Sequence, residues 1–322
     1  MTTSLMEAAP PDPEFSTDAA APTSTDENLY LIGRPPLKGY MRFVSSHAVE
    51  PPPDEVLSRR WHAARDVVAR LEQDEAGIAN DPPIAKLGPE YRQLLTAFVR
   101  DPLVKNGFNT VPTQVAMIDL DRLVVYQERV DITFARELER RLGPAPADDL
   151  VFRTCLPFDH PLPPAKWARM HGDKFVFLSP SNDLRYLESM RLEPRDVTGY
   201  AASGSLVGVV GVGVGFGSNF MNAIYAENRL ILNNGSHRAY VLRRMGIRHV
   251  PCIIQHCANR EELSLVACSQ VRRDLPLYLN HARPPMLRDY LDPRLHDVIT
   301  VRRRMRQVTV SFHVDEDFIP AM

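Results

Sequence analysis

"ILNNGSHRAYVLRRMGIRHVPCIIQ", residues 231–255, is the stretch that decides how this chain folds. It opens on a short apolar run, which predicts a strand. Asn233, Asn234 and Gly235 predict a turn, because glycine accepts a positive φ without a Cβ in the way. A helix should follow as far as Met245, with Ser236 or Asn234 as its cap. Gly246 should stop it in the left-handed conformation, and "HVPCIIQ" reads as a buried strand. His237 and Arg238 are at odds with this plan, because the first turn of a helix carries partial positive charge and favours acidic residues. The first backbone N–H groups of a helix have no internal partners, so they form a ready anion site. A bound phosphate would reconcile the two observations, with Arg238 as a two-pronged clamp. The alternative pairs Arg238 with a protein carboxylate and makes His237 a packing residue. Asn234, Gly235, Ser236, His237 and Arg238 are therefore the candidate binding residues.

The whole chain sets the frame. Its 322 residues suggest about two domains. Hydrophobic residues make up 44% and charged residues 24%, which places the chain among ordinary globular proteins. The net charge of −2 gives no global attraction to nucleic acid or an anionic membrane. Nucleic acid is thus a disfavoured partner, and the longest apolar run, near residues 206–216, is too short and glycine-rich to span a bilayer. Cys155, Cys252, Cys257 and Cys268 form no CxxC pair, and no charged-then-apolar leader is visible. Free thiols in a reducing cytoplasm are the expectation.

Along the chain, residues 1–28 read as a disordered tail with little to bury. Residues 29–107 read as helical. "DEVLSRRWHAARDVVARLEQ" sets Val56, Trp61, Ala64, Val67, Val68 and Leu71 close to one stripe, with Asp54 as a cap. "TQVAMIDLDRLVVYQ" suggests a strand and a short extension. "DITFARELERRLG" suggests a helix with Asp131 at its start and Gly143 past its end. Residues 144–200 read as an insertion with one strand, "KFVFLS", and one helix after "SPSND". Asp159, His160 and His171 lie there as polar-loop residues or site residues. "GSLVGVVGVGVGFGSNF" alternates glycine with valine and lacks the helix that a dinucleotide loop requires. The alternation puts glycines on one face of an extended chain, open to close approach by backbone or ligand. "FMNAIYAENRLILNNG" reads as a hairpin turning at Glu227-Asn228, and residues 259–322 as an α/β extension. No internal repeat is visible.

"NNGSHRAYVLRRMGIRHVPCIIQ" resembles the signature of the ParB/sulfiredoxin superfamily. The matching residues are Gly235, His237, Arg238, Leu242, Gly246, Val250 and Pro251. "VAMIDLDRLVVYQERVD" resembles that family's first strand and the stretch after it. The resemblance implies an α+β fold, a mixed sheet with helices, over residues 108–258, interrupted by the insertion. It also implies a nucleoside di- or triphosphate (ATP, ADP or CTP) at the helix start, with Mg²⁺ expected. Sulfiredoxins carry a cysteine just before the His-Arg pair. Ser236 stands there, so thiol chemistry is unsupported. ParB proteins clamp DNA and carry a helix-turn-helix, which residues 259–322 lack. Other relatives are nucleases or kinases of free serine. The expectation is a nucleotide-dependent phosphotransferase or hydrolase acting on a small molecule. The alternatives are a DNA-associated protein or nuclease, or a nucleotide sensor without turnover. His237, Glu227 and Glu128 are the catalytic candidates, because phosphoryl transfer needs a carboxylate to place the metal or the nucleophile. His249, Cys252, His256 and Cys257 fit no common zinc spacing and read as core. The basic run "VRRRMRQV" reads as a solvated face.

Overall fold

The computed structural model describes residues 24–160, 162–199 and 204–320. It is a mixed α+β protein that divides into two compact units. The larger unit comprises residues 24–160 and 218–303; the smaller one takes its described residues from 162–217 and 304–320.

The larger unit is built on a five-stranded sheet in the order Arg229–Asn234, Asn222–Ala226, His249–His256, Thr113–Asp119, Ile84–Ala85. All neighbours are antiparallel except Asn222–Ala226 and His249–His256, which are parallel. His249–His256 lies in the middle, and its residues from Val250 to Gln255 are all buried. That explains a nearly unbroken apolar run where a half-exposed strand would alternate. The hairpin turns at Glu227 and Asn228, both at positive φ (45° and 58°), as a two-residue turn between twisted strands demands. Phe98, Phe152, Phe220, Leu242 and Ile253 belong to the main core.

A second sheet sets Thr25–Leu31 between His296–Arg302 and Arg129–Asp131, antiparallel to both. Residues 25–28 are therefore strand, and the segment from residue 29 opens as strand before it becomes helical. Leu29, Tyr30 and Leu31 are buried, which is what draws the chain into the sheet. The helix Asp54–Asp74 packs Leu57 and Ala64 against Tyr30 and Tyr40. Asp54 is its first residue and the cap position is Pro53, so no side chain caps it. Asp131 does cap the helix Ile132–Leu142, accepting from the Phe134 N–H at 2.9 Å, and Gly143 (φ 70°) ends it.

In the smaller unit Lys174–Ser179 pairs with Lys166–Met170 and with Arg306–Ser311. The helix expected after "SPSND" is a strand, Leu184–Leu192, paired with Val209–Phe216. The glycine alternation is the reason. A Cβ on Gly211 would stand 3.1 Å from Met190 Cγ, and one on Gly215 3.0 Å from Leu187 Cδ1. The bare face thus receives the side chains of the neighbouring strand. The expected boundaries move accordingly. The helix Asp148–Cys155 belongs to the larger unit, with Phe152 in its core, and residues 259–303 belong there too. No helix among the described residues is long and apolar enough to cross a membrane.

Removing residues 1–28 would delete four of the seven residues of Thr25–Leu31, with the Asp26–Arg303 ion pair. A chain beginning at Leu29 should melt well below the full-length protein in a scanning fluorescence experiment, because the central strand of a three-stranded sheet is cut.

Candidate functional site

The strand Arg229–Asn234 ends at a turn made by Gly235, whose φ of 100° suits only glycine. A Cβ there would also stand 3.1 Å from Met221 Cγ. The helix Ser236–Arg244 starts at once, with Gly235 at the cap position and no side-chain cap. Ser236 is instead the first helical residue, buried at 4% exposure. Asn234 Nδ2 donates to the carbonyls of Ser218 and Phe220, both at 3.0 Å. The first N–H of the helix to reach a carbonyl of its own turn is that of Ala239, onto Gly235 at 2.9 Å. The N–H groups of Ser236, His237 and Arg238 are those the helix leaves over.

Arg238 departs from both readings of the sequence. It is 8% exposed, and its guanidinium meets neither an open helix start nor a carboxylate. Nη1 donates to the carbonyls of Asn219 (2.7 Å), Thr154 and Cys155 (both 3.2 Å). Thr154 and Cys155 are the last two residues of the helix Asp148–Cys155. The final carbonyls of a helix are unpaired and carry its negative partial charge. The cation thus serves the C-terminus of another helix. Burial pulls the Arg238 pKa below its ordinary value, offset in part by Cys155 and Cys252.

His237 lies at the same turn, its ring edge-on to Phe134 at 5.4 Å. Burial lowers its pKa to about 4, and the Arg238 charge pushes the same way, so the imidazole is neutral at neutral pH. Glu227 is at the other end of the strand, roughly 20 Å from Gly235 at the usual strand rise. Its carboxylate is held by Arg260 Nε at 2.9 Å and Asn280 Nδ2 at 3.2 Å. Glu128 accepts from the Tyr30 hydroxyl at 2.7 Å and lines a cavity of about 250 Å³. None of residues 234–238 lines that cavity. The three catalytic candidates are thus dispersed, and only His237 is at the helix start.

The cavity contains Arg34, which the sequence reading passed over. Its only local signal was an arginine set between Gly33 and Pro35-Pro36 directly after a buried strand. Elsewhere, His160 pairs with Asp101 at 2.7 Å, and His171 is exposed. All four cysteines are free. Burial pushes the thiol of Cys155 up to about 12 and that of Cys257 to about 11, so they act as small core residues. Among the described residues no group of three His, Cys, Asp or Glu side chains could hold a metal ion.

The two stretches that carry the sequence resemblance are neighbours in space. Thr113–Asp119 pairs with His249–His256 along its whole length. Val124 bridges to Ile231, and the Tyr126 hydroxyl donates to the Asn233 carbonyl at 2.8 Å. No family model, curated protein or solved structure matches the chain.

Two outcomes follow from this geometry. Arg238→Ala should lower stability by about 2–4 kcal/mol in urea denaturation, because charge-assisted bonds to buried carbonyls are lost. Arg238→Lys should recover part of that, since an ammonium can donate to the same carbonyls but is more strongly hydrated and so costs more to bury. The His237 effect has a defined sign. Its folded pKa of about 4 lies below the ordinary 6.5, so its contribution is full above about 6.5 and is lost as pH falls towards about 4. His237→Gln should therefore shrink the drop in urea midpoint between about pH 7 and about pH 4.5 relative to the parent.

Proposed function

We propose that this chain is a ParB/sulfiredoxin-like nucleotide-binding protein that seats the phosphates of a nucleoside di- or triphosphate on the first turn of the helix Ser236–Arg244. The observation that carries this reading is the meeting of residues 124–126 with residues 231–233, one step before the Gly235 turn. Two sequence pieces more than a hundred residues apart thereby flank a helix start with three N–H groups left over. Such groups favour an anion through both hydrogen bonding and the helix dipole. A neutral His237 adds a donor without adding charge. Arg238 acts here as a positioning residue, tying the start of the helix to residues 154, 155 and 219. Mg²⁺ would arrive coordinated to the nucleotide's own phosphates.

Binding comes before turnover in this reading. A phosphotransferase or hydrolase needs a carboxylate within reach of the phosphates, and Glu227 is engaged with Arg260 at the far end of the strand. Phosphoryl transfer to a small molecule is the second reading, supported by the family resemblance.

The test is a thermal-shift series with ATP, ADP, CTP and GTP, with and without Mg²⁺, followed by calorimetric titration of whichever raises the melting temperature. At least one should do so. His237→Asp places a carboxylate in the first turn, which suits the empty helix and repels a phosphate. It should weaken binding at least about tenfold, or about 1.4 kcal/mol, at a temperature where parent and variant are both folded. Four nucleotides without effect, or equal affinity in the variant, would overturn the assignment.

A further inference from the structure

The cavity beside Glu128 holds an unmet demand of one kind. Its walls are mostly apolar, from side chains such as Leu31, Ile32, Val68 and Leu277. Its acidic groups are already engaged. Glu128 takes the Tyr30 hydroxyl at 2.7 Å, and Asp274 Oδ1 takes the Leu277 N–H at 3.2 Å. Asp289 takes the Met286 N–H at 2.9 Å and both terminal nitrogens of Arg283. Arg34 differs. Its side chain is 9% exposed, and one nitrogen, Nη1, reaches Glu72 at 3.2 Å. Nε and Nη2 are buried with no acceptor among the described residues.

A buried guanidinium with two idle donors is expensive. Burying a polar group without a partner costs about 1–3 kcal/mol by mutational measure. Burial also lowers the Arg34 pKa to about 10, against the pull of Asp289 and Glu72. Glu72 does not depend on it, since Arg65 reaches the same oxygen at 3.5 Å and His281 lies at 3.8 Å. Among the described residues no acceptor meets Nε or Nη2, and unmet donors of this kind are expected at functional sites.

We propose that this cavity binds a small monocarboxylic acid with an apolar body, its carboxylate received by the Nε–Nη2 edge of Arg34. That edge presents two parallel donors, the fork that matches a carboxylate. In the structure that edge is buried, so receiving the acid requires a rotation along the side-chain stem that turns it onto the cavity. The volume, about 250 Å³, falls below the range for drug-sized ligands, which points to a small acid and away from a nucleotide. Glu128, Asp274 and Asp289 in the same lining oppose a multiply charged anion such as phosphate more strongly than a single carboxylate. The site is independent of the helix start at Ser236.

The experiment pairs 4-methylpentanoate and phenylacetate with their uncharged amides, and includes inorganic phosphate. Binding is read by saturation-transfer NMR and thermal shift on the full chain. At least one acid should bind at millimolar concentration, at least about tenfold more tightly than its amide, a difference of about 1.4 kcal/mol, and phosphate should not compete. Arg34→Met fills the same space without idle donors. It should melt at or above the parent temperature and lose the preference for acid over amide. Arg34→Met melting well below the parent would show a structural guanidinium and overturn the proposal. Equal binding of acid and amide, competition by phosphate, or no binding of either acid would overturn it as well.

Discussion

The larger unit depends on the Arg238 guanidinium and the carbonyl oxygens it holds. Nη1 gathers Thr154, Cys155 and Asn219 at one buried point. It thereby joins the start of one helix, the end of another and the chain entering the strand Asn222–Ala226. A buried charge must be compensated, and a helix C-terminus supplies negative partial charge without a carboxylate. Cys155 adds a second tie, its carbonyl accepting from the Met221 N–H at 2.8 Å. Segments distant in sequence are thus locked around the Gly235 turn, and the position of Ser236 and His237 follows from them.

The same constraint separates two chemistries. The helix start offers the backbone N–H groups of Ser236, His237 and Arg238. The Arg34 cavity is apolar-walled, with one under-used cation. Glu227 and Glu128, catalytic candidates because phosphoryl transfer needs a carboxylate, serve other partners. Glu227 braces the hairpin turn through Arg260, and Glu128 holds Tyr30. The ring of His237 is kept neutral by its surroundings. What the helix start offers a ligand is hydrogen bonding and a dipole, which suit holding phosphate better than cleaving it.

Local signals were strongest where geometry leaves few choices. Gly235 and Gly246 at φ 100° and 88° bound the helix Ser236–Arg244 as their positions foretold. The Asp131 cap and the Glu227-Asn228 turn were legible for the same reason, since each is set by the residues themselves. Leu184–Leu192 misled because its helix-start signal was local while its partner was not. Valine and glycine in strict alternation some twenty residues on made a face that only a neighbouring strand could cover. Thr25–Leu31 was hidden by its polar first half, which is ordered through pairing with both His296–Arg302 and Arg129–Asp131.

The sequence alone determined the strand, glycine turn, helix and strand of residues 229–256, because φ preferences and apolar period act over a few residues. It also determined that a cation would sit at that helix start. Only the tertiary structure decided what the cation faces. The partners of Arg238 are backbone carbonyls, which every residue carries and no side-chain pattern marks. For Arg34 the deciding fact is that two nitrogens of a cavity-lining side chain are buried without an acceptor among the described residues. That property belongs to the packing of distant segments around one side chain, so no stretch of sequence contains it.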